Sequence, residues 1–312
     1  MQAPMADVTD AAFRKLIAKY GKPDVLFTEF VTCDGLCSAG RKNLLKHLIY
    51  DETERPIVAQ IWGGRLEKYQ ETAELIGELG FDGIDINMGC PVKNVTKIGG
   101  GAALIKDPER AKKIIEETKK GAGNLPVTVK TRIGYNRIIV KEWMEHLLET
   151  EPAAITLHMR TAKEMSKVEA HWEEIHLAVE MTKKSNTLIF GNGDITDLGH
   201  ADEIIKETNL DGVMLGRAIF GNPWLYDRNR KYEDILLDER LTVMVEHAEL
   251  YESIFTGINS KSFLLMRKHI LAYISGFKGA KELRLRLQSV ESASEVKEIV
   301  SSFKSSVEFQ EI

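Results

Sequence analysis

Gly83-Ile84-Asp85-Ile86-Asn87, followed by Met88-Gly89-Cys90-Pro91, reads as a short buried strand that ends in a forced turn. Gly89 and Pro91 set that turn, and it lifts one thiol clear of the strand end. The next residues, Lys93-Asn94-Val95-Thr96-Lys97-Ile98-Gly99-Gly100-Gly101, contain two lysines, three glycines and no acid. They read as a flexible cationic loop beside the thiol, an arrangement that suits an enzyme acting on an anionic substrate. A lone free cysteine is more often a small buried hydrophobe, so Cys90 gains a chemical role only through its surroundings.

Working outward, strand-like apolar runs alternate with amphipathic stretches as far as Trp224. The strands read as Val25–Thr28, Ile57–Ile61, Gly83–Asn87, Val127–Lys130, Ala154–His158, Thr187–Gly191 and Gly212–Leu215. Helices are expected at Leu66–Leu79, Pro108–Lys120, Val140–Glu149, His171–Met181 and Ala201–Thr208. Such alternation implies parallel pairing through right-handed crossovers. With a stub at Met1–Ala3 the strands number eight, which predicts an α/β fold of the (β/α)8 TIM-barrel type. The stub is short, so either an N-terminal piece precedes this chain or the first strand is abbreviated. Beyond the Arg228–Asp238 linker the alternation gives way to helical periodicity over Leu241–Thr256, Ser260–Ser275, Ala280–Gln288 and Ser294–Ser306. The expected division is a barrel over 1–232 and a small all-α domain over 233–312.

A barrel carries its chemistry at the C-terminal ends of its strands. Read in order, those ends are Pro4-Met5, Glu29, Gln60, Asn87 with Cys90, Lys130, His158, Asn192-Gly193-Asp194 and Gly216-Arg217. Polar groups at nearly every end point to one convergent site. The glycines of the last two ends allow close backbone approach, and Arg217 adds charge, as a phosphate site requires.

Composition sets the outer bounds. The 312 residues are 43% hydrophobic, enough for a large core. Apolar runs are only strand-length, which argues against a membrane span. No secretory pattern opens the chain, and three cysteines make no disulfide framework, so a cytoplasmic setting is expected. Cys33 and Cys37 lack a second ligand pair, so no metal site is expected. The net charge of -5 hides a localised footprint: seven basic residues and one acid lie between Gly257 and Val290, while the remainder holds 35 basic and 46 acidic residues. A cationic C-terminal segment on an acidic body suits contact with a phosphate backbone.

With these elements placed, the chain resembles the tRNA-dihydrouridine synthases over nearly its whole length. The motifs are Ala3-Pro4-Met5-Ala6-Asp7-Val8-Thr9-Asp10 with Phe13-Arg14, then Asp85-Ile86-Asn87-Met88-Gly89-Cys90-Pro91 and Val129-Lys130-Thr131-Arg132. His158 with Arg160-Thr161, Gly191-Asn192-Gly193-Asp194, and Gly216-Arg217 with Gly221-Asn222-Pro223-Trp224 follow. Arg267-Lys268-His269 and Gly279-Ala280-Lys281-Glu282-Leu283-Arg284 complete the set. The cysteine motif is highly specific, and the glycine motifs corroborate it.

The resemblance implies a barrel that binds FMN and a helical domain that binds tRNA. The implied activity is reduction of the C5–C6 double bond of particular uridines, with NADPH as electron source; a monomer is expected, although no residue pattern fixes the oligomeric state. Carried over by position, Pro4, Met5, Gln60, Lys130, His158, Asn192, Gly193, Asp194, Gly216 and Arg217 would hold FMN. Cys90 would be the catalytic acid. Asn87, Lys93, Lys97, Arg132, Arg160, Arg267 and Lys268 would contact the RNA. The target uridine would have to be flipped out of the RNA to enter the barrel mouth. After His158 the sequence departs from the family pattern: Met159, Ala162, Glu164, Ser166 and Val168 stand where a glycine, an arginine, a glutamine, an aromatic residue and a glycine are usual. Lys163 and Lys167 are candidates for replacement phosphate contacts.

Two other readings share parts of this pattern. One is a flavin barrel acting on a free pyrimidine, similar to the dihydroorotate dehydrogenases. The other is a non-catalytic RNA-binding factor. The basic helical segment separates the first from the leading reading, and intact Cys90, Lys130 and His158 argue against the second.

Overall fold

The computed structural model describes residues 1–306. Eight parallel strands follow one another around a curled sheet: β1 Leu26–Phe27, β2 Val31–Thr32, β3 Ile57–Trp62, β4 Gly83–Met88, β5 Val127–Arg132, β6 Ala154–His158, β7 Leu188–Asn192 and β8 Gly212–Met214. β1 and β2 both pair with β3, in registers that differ by one: Phe27 lies opposite Val58, whereas Val31 lies opposite Ile61. They are therefore one strand carrying an extra residue over Thr28–Phe30. Such bulges bend a strand and re-aim side chains. The sequence reading ends this strand at Thr28, because a bulge breaks the period on which that reading depends.

The stub Met1–Ala3 closes the barrel. Gln2 forms a parallel bridge to Leu215 and its N–H donates to Val25 O at 3.3 Å, while Ala3 N–H donates to Leu215 O at 2.7 Å. Counting the stub, and β1 with β2 as one, gives the expected eight.

The expected helices lie outside the sheet at Lys68–Glu78, Pro108–Ala122, Val140–Leu148, Ile175–Thr182 and Leu198–Thr208. The last is capped by Asp197, whose carboxylate accepts from His200 N–H and so starts the helix three residues before Ala201. A helix not among those expected, Ala11–Tyr20, is capped by Asp10 through Phe13 N–H. It buries two faces. Phe13 and Ile17, four residues apart, join the barrel core, while Ala12 and Leu16 join a second core.

That second core gathers Trp224, Leu241, Met244, Tyr251, Ile270, Tyr273, Leu287 and Val296 from the C-terminal helices Leu237–Ile254, Arg267–Tyr273, Ala280–Leu287 and Ala293–Ser306 and the segment before them. The helix expected from Ser260 begins instead as a tight turn over Phe263–Met266. Among the described residues no helix is long and apolar enough to cross a membrane.

Candidate active site

The register of the sheet assembles the site. Asn87 lies beside Lys130, Arg132 beside His158, and His158 beside Asn192, so side chains far apart in sequence share one rim. Two adjoining cavities open there. The larger, about 660 Å³, is lined by Pro4, Met5, Lys130, His158, Asn192, Gly193, Asp194, Gly216 and Arg217, which are nine of the ten residues expected to hold the cofactor. The smaller, about 140 Å³, holds Cys90, Asn87 and Phe30. Pro4, Lys130, Arg132 and His158 line both, so the thiol and the larger cavity share four walls.

Gln60, the tenth expected cofactor residue, is fully buried and outside both linings. Its Nε2 donates to Asp85 Oδ2 at 2.6 Å, and its Oε1 accepts from Asn87 Nδ2 at 2.9 Å. Asn87 Oδ1 in turn accepts from Gly89 N–H at 3.1 Å and from Cys90 N–H at 2.9 Å. The turn that presents the thiol is thus held from inside the sheet.

The glycine-rich run after Cys90 is packed rather than loose. Gly101 sits at φ +56°, and a Cβ there would lie 2.6 Å from Cys90 O. Ala102 N–H donates to that same carbonyl at 2.9 Å. Gly100 abuts Gly63 O, where a Cβ would come within 2.9 Å. Glycine is needed here for close approach, and the expectation of a flexible loop is corrected accordingly.

The larger cavity is cationic. Arg132, Arg160, Arg217 and Lys130 face a single acid, Asp194. Arg160 NH2 and Arg217 NH2 both bond the Asp194 carboxylate, the latter at 3.1 Å. These bonds, Arg160 foremost, hold Asp194 below the usual carboxylate range. Asp194 and Gly193 adopt φ of +53° and +141°, and a Cβ on Gly193 would meet Ala170 Cβ at 2.9 Å. Arg160 is expected from the sequence to meet substrate; the fold places it instead between His158 and Asp194.

Burial, then Arg132, pushes the Lys130 ammonium from 10.5 down to about 8. Its Nζ donates to Asn192 Oδ1 at 3.2 Å, and Asn192 Nδ2 is fixed by Met214 O at 2.7 Å. Burial, and then the positive charges of Arg132, Lys130, Arg160 and Arg217, push His158 well below its usual range, so its imidazole is neutral at physiological pH. Arg160 NH1 lies 3.3 Å from His158 Nε2, and a guanidinium only donates. Nε2 is therefore the acceptor and Nδ1 carries the proton. Burial raises the Cys90 thiol above its usual 9.0, against the opposing pull of the Val92 N–H and then of Arg132 and Lys130, so the sulfur keeps its proton at neutral pH.

Arg132 also staples two rim loops. Its Nε donates to Gly89 O at 2.8 Å and its NH1 to Thr161 O and Met165 O at 3.0 and 2.9 Å. Lys93 and Lys97 stand exposed on and beside the one-turn helix Lys93–Thr96, outside both cavities. Lys163 and Lys167 are exposed on the loop after β6. Arg267 is spent bracing the helical region through Val290 O and Ser289 O, both at 2.9 Å. Lys268 is exposed, yet what burial it has lowers its ammonium, against the opposing pull of Asp7, Asp10 and Glu29.

One cluster is invisible in the sequence. Glu29, buried within the bulge, accepts from Asp7 N–H at 2.7 Å, contacts His47 Nδ1 at 3.2 Å and pairs with Lys261 Nζ at 2.5 Å. Lys261 comes from the C-terminal region, so this ion pair ties the two cores together beside the mouth. Among the described residues no group of three or more His, Cys, Asp or Glu is placed to hold a metal ion.

The family described as dihydrouridine synthase (Dus) matches residues 1–308. The chain is 39% identical over 310 residues to a probable tRNA-dihydrouridine synthase of Staphylococcus aureus (strain MRSA252), covering 98% of this chain and 93% of that one. It is 38% identical over 306 residues to a probable tRNA-dihydrouridine synthase 2 of Bacillus subtilis (strain 168), covering 97% and 93%. Among solved structures, histamine dehydrogenase from Rhizobium sp. 4-9 aligns with TM-score 0.55 at 13% identity, over 80% of this chain and 48% of that one. A 2-naphthoyl-CoA reductase aligns with TM-score 0.54 at 13% identity, over 73% and 47%. At that identity the structures share a fold, which is the TIM-type barrel.

Proposed function

The chain belongs to the dihydrouridine synthase family, whose members are oxidoreductases, and from that membership we propose that it reduces specific uridines of tRNA with FMN as cofactor and NADPH as reductant. The observation that carries the reading is the shared wall of Pro4, Lys130, Arg132 and His158 between a cofactor-sized cavity and the Cys90 thiol.

The residues present fit a flavin mononucleotide. A cavity of about 660 Å³ lies within the range that encloses ligands of this size, roughly 300–1,000 Å³. Arg160 and Arg217 already converge on one anionic group, the Asp194 carboxylate, beside the glycine at 193 where a side chain would fill the cradle. A phosphate has the charge and acceptors this corner takes. Pro4, Met5, Lys130, His158, Asn192, Gly193, Asp194, Gly216 and Arg217 would hold the cofactor, with Arg160 added to the set. When bound and reduced, FMN supplies the hydride that C6 of the uracil receives.

The remaining chemistry belongs to the chain. Hydride arrival at C6 places enolate-like charge on the pyrimidine, and Cys90 gives its sulfur-bound proton to C5. A thiol held protonated by burial is poised to donate, and Arg132 and Lys130 stabilise the thiolate left behind. Asn87 would offer a uracil carbonyl the Nδ2 proton not given to Gln60. Neutral His158, with its proton on Nδ1, adds a hydrogen-bond donor without adding charge. Lys93, Lys97, Lys163 and Lys167 on the rim, with Lys268, would meet RNA phosphates. On this reading 1–232 carries the cofactor and 233–312 grips the tRNA.

The test is direct. Protein purified with FMN should be yellow and should raise dihydrouridine in tRNA, read by mass spectrometry. Cys90→Ala should keep the flavin absorbance and lose product. A colourless protein that refuses added FMN, or a Cys90→Ala enzyme of undiminished turnover, would overturn the proposal.

A further inference from the structure

We propose that Met165 is an apolar wedge that enters the RNA beside the target uridine and holds that uridine out of its stack. The inference rests on the reading of the chain as a tRNA-modifying enzyme, and it adds the surface that opens the RNA.

The loops after β4 and β6 border the cavities, and one side chain joins them. Arg132 Nε donates to Gly89 O at 2.8 Å, and its NH1 donates to Met165 O at 2.9 Å. The Met165 carbonyl therefore stands one guanidinium away from the residue that precedes the Cys90 thiol. Ser166, next in the chain, lines the larger cavity.

Met165 is held in an unusual backbone conformation. Its φ of +56° lies in the left-handed region, which residues other than glycine seldom occupy. Such strain persists only where the surroundings impose it, and here they do. Ala162 N–H and Lys163 N–H donate to Gly134 O and Tyr135 O, both at 2.9 Å. The Glu164 carboxylate accepts from Thr161 N–H at 2.8 Å and meets His171 Nε2 at 3.2 Å, while Arg160 Nε holds Val168 O at 2.7 Å. The loop is tied down along its length, yet Met165 remains 44% exposed and Val168 41%.

The loop after β4 repeats the arrangement. Val95 is buried in the turn Lys93–Thr96, while Val92 and Ile98 on either side of it are exposed. Of the eleven large apolar side chains exposed among the described residues, these four stand on two loops at one mouth, which marks that mouth as a place of contact. Lysines interleave with them: Lys93, Lys97, Lys163 and Lys167 are all exposed, against a single exposed acid, Glu169. A partner covering these loops must bring negative charge and apolar faces together, and an RNA strand does both. A stacked uridine cannot reach a thiol in a barrel mouth, so it has to leave its neighbours. Proteins that part bases insert apolar side chains between them, methionine included. The thioether is flexible and polarizable and packs well against rings, and the fixed backbone delivers it at one point.

Substitutions at this one position separate the wedge from the fold. Glycine adopts the left-handed region freely, so Met165→Gly removes the side chain and keeps the loop. Met165→Asn also tolerates that region but presents a polar group. Met165→Leu keeps an apolar one. Circular dichroism and flavin absorbance of the FMN-bound enzymes report folding. Each enzyme is titrated by filter binding with an unmodified tRNA transcript and with a short oligouridylate, whose bases need no unstacking.

Met165→Gly and Met165→Asn should bind the transcript on the order of 10-fold more weakly with oligouridylate affinity unchanged, and Met165→Leu should stay near wild type. Bound transcript should also slow oxidation of the wild-type Met165 thioether by dilute hydrogen peroxide, read on its own peptide. That measurement needs no variant, so an unprotected thioether overturns the wedge even where a variant misfolds. Equal weakening toward both RNAs would reduce Met165 to a general contact and overturn the wedge, as would a Met165→Gly enzyme of undiminished transcript affinity. A wild-type dimer that Met165→Gly turns into monomer in sedimentation would give these loops to a second copy, with the same result. Wild type that binds the transcript but forms no dihydrouridine would sink the function proposed above while the titrations still test the wedge.

Discussion

Replacing Lys130 by methionine should make the flavin-free protein more stable while removing its activity. Burial and Arg132 lower the ammonium from 10.5 to about 8. At about 1.4 kcal/mol for each tenfold change in proton affinity, holding this charge inside the fold costs roughly 3 kcal/mol at pH 7. Methionine is close in volume, so packing changes little. The substitution leaves Asn192 Oδ1 without its donor, which returns about 1 kcal/mol. The expected net gain is about 2 kcal/mol in urea unfolding at pH 7, the difference between the charge penalty and the lost hydrogen bond. Its pH dependence follows from the sign of the shift. The folded lysine loses its proton near 8 and the unfolded one near 10.5, so the penalty is fully present below 8 and vanishes as pH rises through that interval. The advantage of Lys130→Met should therefore shrink between pH 8 and 10.5. A variant less stable than wild type at pH 7, or an advantage that persists above pH 10.5, would refute the reasoning. Reduced affinity for FMN in the same variant, followed by flavin fluorescence, would show that the penalty is retained for binding.

Lys261→Met should destabilise the protein by about 1.5–3 kcal/mol, since it removes a charged hydrogen bond from the buried Glu29 carboxylate, which keeps Asp7 N–H and His47, and urea unfolding with Glu29→Gln added should recover part of the loss. A single-variant loss below about 1 kcal/mol would count against the ion pair as a tie between the two cores. Lys163→Ala with Lys167→Ala should weaken tRNA binding and flatten the plot of log affinity against log salt by roughly 1.5, near 0.7–0.9 per phosphate contact. An unchanged slope in a filter-binding titration would remove both lysines from the RNA interface.

What the sequence could determine was whatever depends on local order. The alternation of strands and helices announced a barrel, and the C-terminal ends of those strands named Lys130, His158, Asn192, Asp194 and Arg217 in advance, because a parallel barrel puts all such ends on one face. Cys90 was legible for the same reason, as a turn made by Gly89 and Pro91. The bulge at Thr28–Phe30 was not, since one inserted residue appears only as a shift in pairing with β3. Arg160 could not be assigned either: its partner Asp194 lies on another strand's loop, and neither residue type dictates that meeting. The same holds for Gln60, which sits at a strand end like its neighbours but is turned inward by Asp85, the residue opposite it in register. Lys261 and Glu29 are 232 residues apart, and only the packing of the C-terminal helices on the barrel brings them together. Periodicity along a chain reports which face a residue occupies. Who stands opposite it is decided by register and docking, and in this protein those contacts hold the thiol, the cations and the two cores in place.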